Sequence, residues 1–239
     1  MTVQGRPQDA SEPVNWAVFF VRVLVFIALI ALLLFLAAGT VDWRMGWIYV
    51  VLLVTIAAIS RYLMIRRSPG LFNERSNALG KDDTKSWDKI LVPIMVVMAL
   101  AQLIVAGLDF RYDWSTAFSI WLELLGVLLM IAGYVFASWP MLVNPYFSST
   151  LRIQKERGHQ VVSDGPYRVV RHPSYLGTLV GSLGTSLMLS SLWSLIPAAA
   201  LMITTIARAS LEDATLCDEL PGYRQYAQQT RYRLFPGIW

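Results

Sequence analysis

AVFFVRVLVFIALIALLLFLAA, residues 17–38, carries a single charge, Arg22. A helix needs about 20 apolar residues to cross roughly 30 Å of hydrocarbon. This run therefore predicts a membrane-spanning helix, with Arg22 near enough to one end to snorkel. Working outward, residues 45–65 form a second run with Arg61 near its far end, residues 90–108 a third and residues 116–143 a fourth. The stretch 175–209 is too long for one crossing and is interrupted by Ser190-Ser191-Leu192-Trp193. It reads as a tight hairpin of two short helices, 175–189 and 192–209, which tilt or pack inside the bundle.

Composition agrees with these runs. The chain is 56% hydrophobic and 15% charged, with a mean hydropathy of +0.51. Soluble domains carry about 25% charged residues, so an ordinary water-facing surface is excluded. The expected fold is all-α, a polytopic membrane helix bundle of about six transmembrane segments ending in a helical hairpin. Residues 1–15, rich in Gln, Pro, Asp and Ser, read as a disordered tail. Residues 16–143 read as a four-span bundle, and residues 144–239 as the region that carries the chemistry. The first apolar run is longer than the 7–15 residues of a signal peptide, so it reads as a retained helix. Cys217 is the only cysteine; it allows no intramolecular disulfide, and its position excludes a prenylation box.

Charge placement supplies orientation. Of the 20 Lys and Arg residues, only Arg44 and Arg111 fall on the side of the loops 39–44 and 109–115. The positive-inside rule then puts both termini and the two long loops in the cytoplasm. The turns at Asp42-Trp43 and Asp113-Trp114 are expected outside, at headgroup level. The net charge of +4 reads as topology and contact with anionic membrane lipids. The basic residues form no nucleic-acid motif, and two histidines with one cysteine make no zinc spacing.

The polar chemistry lies in the cytoplasmic segments. Residues 144–177 read NPYFSSTLRIQKERGHQVVSDGPYRVVRHPSYLG. Residues 151–157 read as a short surface helix stopped by Gly158, residues 159–162 as extended, and residues 163–166 as a turn. Pro173 suits the first turn of the fifth helix, where a missing N–H costs nothing. A helix start offers unpaired N–H groups to a carboxylate or phosphate, and Arg171 and His172 stand beside it. The same two residues would equally anchor a helix at the headgroups. Arg208 and Glu212, four apart, share a helix face. They read either as an ordinary ion pair or as part of a site, because boundary charges in membrane helices are functional candidates.

Taken together, G-P-Y-x-x-V-R-H-P-x-Y-x-G (165–177), R-x-x-x-E-[ED]-x-x-L (208–216), G-Y-x-x-Y (222–226) and a terminal R-x-x-P resemble the isoprenylcysteine carboxyl methyltransferase and phospholipid methyltransferase superfamily. The motifs lie within residues 144–239; the rest matches in hydropathy only. The resemblance implies a cytoplasmic pocket for S-adenosyl-L-methionine between the last helices and the tail, and a lipophilic or lipidated substrate entering from the bilayer. It implies cofactor contacts at Gln154, His159, Gln160, Val161, Val162, Tyr167, His172, Pro173, Ser174, Tyr175 and Glu212. Arg208 matches the substrate-side arginine of the family, and Arg171 joins it as a catalytic candidate. Between Gln154 and His159 the segment is shorter than in the eukaryotic carboxyl methyltransferases, and either Arg231 or Arg233 corresponds to the terminal arginine. The acceptor implied first is a carboxylate of an isoprenylcysteine-like molecule. A phospholipid amine, a small thiol, an NADPH-dependent sterol-type reductase and a non-enzymatic scaffold are the rival readings. An amine or thiol would need a base, for which His159, His172 and Glu212 are the candidates.

Overall fold

The computed structural model describes residues 16–68, 71 and 84–239. The expected tail, and the part of the loop between the second and third helices at 69–70 and 72–83, lie outside the described residues. Seven α-helices are described: α1 (Trp16–Ala38), α2 (Arg44–Arg67), α3 (Asp88–Tyr112), α4 (Ile120–Val143), α5 (Pro173–Met188), α6 (Leu195–Glu219) and α7 (Tyr223–Gln229). No strand occurs among the described residues. The helices α2, α3, α4 and α6 are long and apolar enough to cross a membrane, and the described part of α1, Val23–Ala38, is a shorter apolar helix. The chain is an integral membrane protein. With 16 residues, α5 reaches only about 24 Å at 1.5 Å per residue, as the expected shortness of the hairpin's first helix requires.

Small residues set the closest packing. Gly126 and Gly133 on α4 face Gly177, Gly181 and Gly184 on α5. A Cβ at Gly133 would lie 2.2 Å from the Gly181 nitrogen, and one at Gly177 2.4 Å from the Ala137 nitrogen. Backbones can approach this closely in membranes only where side chains are absent. Elsewhere, α1 lies on α3 and α3 on α6. Inside the bundle, Gln102 of α3 donates to the Ser182 carbonyl at 2.7 Å and accepts from the Ser182 hydroxyl at 2.8 Å. Away from water such bonds leave no polar group unpaired.

One end of the bundle is closed by Asp109. Its carboxylate accepts from the Ser115 backbone at 2.7 Å and from the Ser191 hydroxyl. It thereby ties the turn after α3 to the turn between α5 and α6. The opposite end gathers the segment 144–172, the start of α3, the end of α6 and the carboxyl-terminal tail, residues 230–239.

Three local expectations are corrected. The second hairpin helix begins at Leu195 and runs to Glu219, ten residues past the expected end at 209. Its charged positions 208 and 213 are buried against partners, so the helix continues where polarity alone suggested a stop. Residues 151–157 form a 3-10 turn only at Lys155–Arg157. The backbone of Leu151 is instead claimed by Asp88 Oδ2 and Lys85. Trp43 is buried and stacks on Phe110 at 4.4 Å; it is a core residue and not a headgroup anchor. Gly158, at φ +63°, and Pro173, in the first turn of α5, stand as expected.

Candidate functional site

A cavity of about 700 Å³ opens at the end where the motifs converge. Its polar half is lined by the segment 144–152, by residues 159–162, by Tyr167, and by the facing ends of α5 and α6. Its apolar half continues between α2 and α4. The volume falls in the range of about 300–1,000 Å³ usual for ligand sites.

Asp213 organises one wall. Arg171 donates to it from Nε at 2.7 Å and from Nη2 at 2.8 Å, Arg233 from Nε at 2.9 Å and Tyr223 from its hydroxyl at 3.0 Å. The remaining nitrogen of Arg171 donates to the carbonyls of Thr230 and Arg231, both at 2.9 Å. Burial works against the Arg171 charge, but the hydrogen bonds and attraction of Asp213 outweigh it, so the guanidinium pKa is raised. Burial, reinforced by the Asp213 carboxylate, likewise pushes the Tyr223 phenol well up. Arg233 is therefore the terminal arginine that pairs with Asp213, while the side chain of Arg231 is exposed.

Arg208 does not form the ordinary ion pair with Glu212 that was one of the two readings of their spacing. It donates from Nε to Asp88 Oδ1 at 2.7 Å, and from Nη2 to Asp88 Oδ2 and the Ser149 carbonyl, both at 3.0 Å. A carboxylate at the start of α3 presents both oxygens to the planar fork, which a neighbour on the same helix does not. Glu212 instead accepts the Tyr175 hydroxyl. The Tyr175 ring stacks on His172 at 5.6 Å and lies under the Arg208 guanidinium at 5.3 Å.

His172 Nδ1 lies 3.8 Å from Glu212, and Nε2 lies 3.4 Å from Asp213 without the alignment of a hydrogen bond. Nε2 and Ser148 Oγ are the buried side-chain polar atoms without a partner among the described residues, and both residues line the cavity. Tyr167 accepts from Asn144 Nδ2 at 3.1 Å, and burial drives its phenol upward despite that bond.

His159 stacks on Tyr146 at 4.6 Å and accepts from the Gln154 backbone at 3.3 Å through Nδ1. Burial, with the nearby charges of Arg157 and Arg152, lowers its pKa to about 4. Gln160, Val161, Val162, Pro173 and Ser174 also line the cavity.

Gln154 does not. It is fully buried, its amide donating to the Tyr146 carbonyl at 2.7 Å and accepting from Arg157 at 2.6 Å. The structure thus brings every other expected residue to one cavity and puts Gln154 behind its wall. Sequence reading missed Asp88, Tyr146 and Arg61. A charge at or inside the end of an apolar run was the available signal for Asp88 and Arg61; Tyr146 gave none.

The sequence pattern of the phospholipid methyltransferase family matches residues 121–218. Protein-S-isoprenylcysteine O-methyltransferase B of Arabidopsis thaliana is 33% identical over 70 residues, 29% of this chain and 36% of that protein. The cobalt-zinc-cadmium resistance protein CzcN of Cupriavidus metallidurans is 29% identical over 140 residues, 57% of this chain and 58% of that protein. A solved structure of the eukaryotic intramembrane Ras methyltransferase, isoprenylcysteine carboxyl methyltransferase, aligns with a TM-score of 0.49 at 20% identity, covering 94% of this chain and 86% of that chain. The matched stretch spans 36% of the Arabidopsis protein and 58% of the Cupriavidus one. Residues 121–218, which hold most of α4, α5, most of α6 and the loop that walls the cavity, are the part of the chain that is similar to the phospholipid methyltransferase family and to protein-S-isoprenylcysteine O-methyltransferases.

Proposed function

We propose that the chain is an S-adenosyl-L-methionine-dependent methyltransferase whose acceptor is the carboxylate of a lipophilic, isoprenylcysteine-like molecule. The observation that carries this reading is the continuity of one cavity. A polar end rich in aromatic and buried polar groups joins directly to an apolar passage between membrane helices.

The residues fit the cofactor. Among the described residues Ser148 Oγ is buried at the cavity wall without a hydrogen-bond partner, the condition expected of a group that waits for a ligand, and His172 Nε2 has only its misaligned approach to Asp213 at 3.4 Å. Glu212 offers negative charge to an ammonium or a ribose hydroxyl. Pro173 and Ser174 place the positive end of α5 at the cavity edge, where a carboxylate is favoured. Tyr167 and Tyr175 supply aromatic faces that favour a cation. When bound, S-adenosylmethionine supplies a methyl group already activated on a sulfonium.

The protein's remaining task is to align the acceptor and exclude water. A carboxylate arrives as an anion, so no residue has to remove a proton. That suits His159, which with a pKa of about 4 is a weak base at neutral pH. Arg208 is already neutralised by Asp88, and only its Nη1 lies outside those bonds. It contributes a directed N–H to the acceptor. Arg171, spent on Asp213 and the tail carbonyls, holds the tail against α6.

Purified protein given radiolabelled S-adenosylmethionine and a panel of prenylcysteine, phospholipid amine and thiol acceptors tests the reading. Label in a base-labile ester of the prenylcysteine is expected. Transfer only to amine or thiol would overturn the carboxylate assignment. The charge asymmetry of the loops supports cytoplasmic termini, so a reporter fused after Trp239 should read inside and one within residues 109–115 outside. The opposite pattern would refute that orientation.

A further inference from the structure

Four arginines line the cavity: Arg61, Arg152, Arg171 and Arg208. Three are neutralised at short range, Arg152 by Glu156, Arg171 by Asp213 and Arg208 by Asp88. Arg61 is different. Among the described residues its recorded contact is the face of Phe26, 5.4 Å from the guanidinium carbon. The acidic side of the lining is equally spare. Glu212 is the lining carboxylate, and among the described residues no lysine or arginine stands within ion-pair distance of it. Among the described residues the cavity therefore holds one uncompensated anion, Glu212 in the polar half, and one uncompensated cation, Arg61 on α2.

The position of Arg61 is not that of a headgroup anchor. It sits six residues before the end of α2 at Arg67, about 9 Å along the axis. Arg66 and Arg67 at that end are exposed, whereas Arg61 is half-buried and turned to the cavity. An ionisable side chain at such depth costs free energy unless it has a partner or a role.

Its surroundings define the shape of a ligand. Leu53, Ile56 and Ala57 line the cavity on the same face of α2, extending about 12 Å deeper than Arg61. Tyr134, Ala137 and Met141 form the facing wall on α4. A group held at Arg61 has an apolar slot running from it toward the middle of the bundle.

We propose that Arg61 is the receptor for the negative charge of the acceptor, so that the cavity selects amphiphiles with a single anionic head and an apolar chain. This deepens the methyltransferase reading and rests on it for the word acceptor; the binding selectivity itself does not depend on methyl transfer. Arg208 directs a hydrogen bond and Arg61 supplies the net charge, while Glu212 supplies the opposite charge for a cationic cofactor. A zwitterionic phospholipid amine would bring its own cation toward Arg61 and is disfavoured.

Equilibrium binding to the detergent-purified full chain tests this with N-acetyl-S-farnesylcysteine, its neutral carboxamide, and dodecyl phosphate. Wild type is expected to hold the carboxylate at least tenfold more tightly than the carboxamide, a difference of about 1.4 kcal/mol. Arg61→Gln should bind the two alike while keeping its affinity for S-adenosylmethionine, and Arg61→Lys should retain the preference. If dodecyl phosphate shows the same dependence on Arg61, the receptor reads charge and the proposal is supported; if it does not bind, selection by an anionic head as such is overturned. Should Arg61→Gln fail to fold, Arg61→His provides the switch within one protein, with preference for the carboxylate at pH 5.5 and none at pH 8. Equal binding of carboxylate and carboxamide by wild type, or a preference that survives Arg61→Gln, would overturn the proposal. Selectivity that follows Arg61 in a protein transferring no methyl group would leave it standing and remove the enzymatic reading instead.

Discussion

Arg208 and Asp88, 120 residues apart in the chain, meet in a two-point ion pair at 2.7 and 3.0 Å. Asp88 is fully buried and Arg208 is 8% exposed. The pair joins the start of α3 to α6, and through Leu151 and Ser149 it fastens the loop that roofs the cavity. Breaking a buried pair from one side leaves an uncompensated charge and costs about 3–5 kcal/mol. Asp88→Asn is therefore expected to lower the melting temperature in detergent sharply, and Arg208→Lys less so because one contact survives. An Asp88→Asn protein that melts with wild type would show that the pair contributes no net stability.

Glu212→Gln preserves shape and hydrogen bonding to Tyr175 but removes the one uncompensated negative charge that the described residues give the cavity. Affinity for S-adenosylmethionine should fall by about 1.5–3 kcal/mol, the size of a hydrogen bond to a charged group. Isothermal titration on folded protein measures it. Unchanged affinity would reduce Glu212 to a structural partner of Tyr175.

His159 makes stability depend on pH. Its folded pKa of about 4 lies below the unfolded value of about 6.5, so the native state prefers neutral imidazole. The unfolded chain binds the extra proton first. Stability from this group is complete above pH 6.5 and is lost as pH falls toward 4. His159→Phe retains a ring against Tyr146 and removes the titration. Its melting temperature should decline less than that of wild type between pH 6.5 and 4. Parallel curves would show that His159 does not contribute.

Gly133→Ala tests the closest helix contact. The added carbon would lie 2.2 Å from the Gly181 nitrogen, and the obstacle is backbone that no side-chain rotation relieves. Overpacking of this kind costs about 1–3 kcal/mol or more. Thermal denaturation should show a clear loss relative to Leu128→Ala on the exposed face of α4. Equal melting of the two variants would mean that α4 and α5 separate easily.

Much of this protein is legible in one dimension because the bilayer imposes a one-dimensional rule. A helix in hydrocarbon must be apolar for about 20 residues, so runs such as 17–38 reveal their helices directly. The break at Ser190-Ser191 likewise announced a turn. Local backbone chemistry was equally readable: Pro173 begins α5, and Gly158 adopts the left-handed conformation that ends a 3-10 turn. Clustered motifs also indicated much of the polar half of the cavity.

Charge pairing was decided only in three dimensions. Sequence spacing suggested Arg208 with Glu212, because residues four apart always share a helix face. The chain cannot signal that Asp88 lies closer in space and offers a better-shaped acceptor. The same holds for Asp213, which collects Arg171 and Arg233 from segments before and after it, and for Gln154, whose amide is claimed from within the wall. It holds most for Arg61. Along the chain it is one more basic residue near a membrane boundary. Only the packing of α2 against the cavity turns it inward, and only the pairing of every other lining arginine leaves its charge the uncompensated one among the described residues.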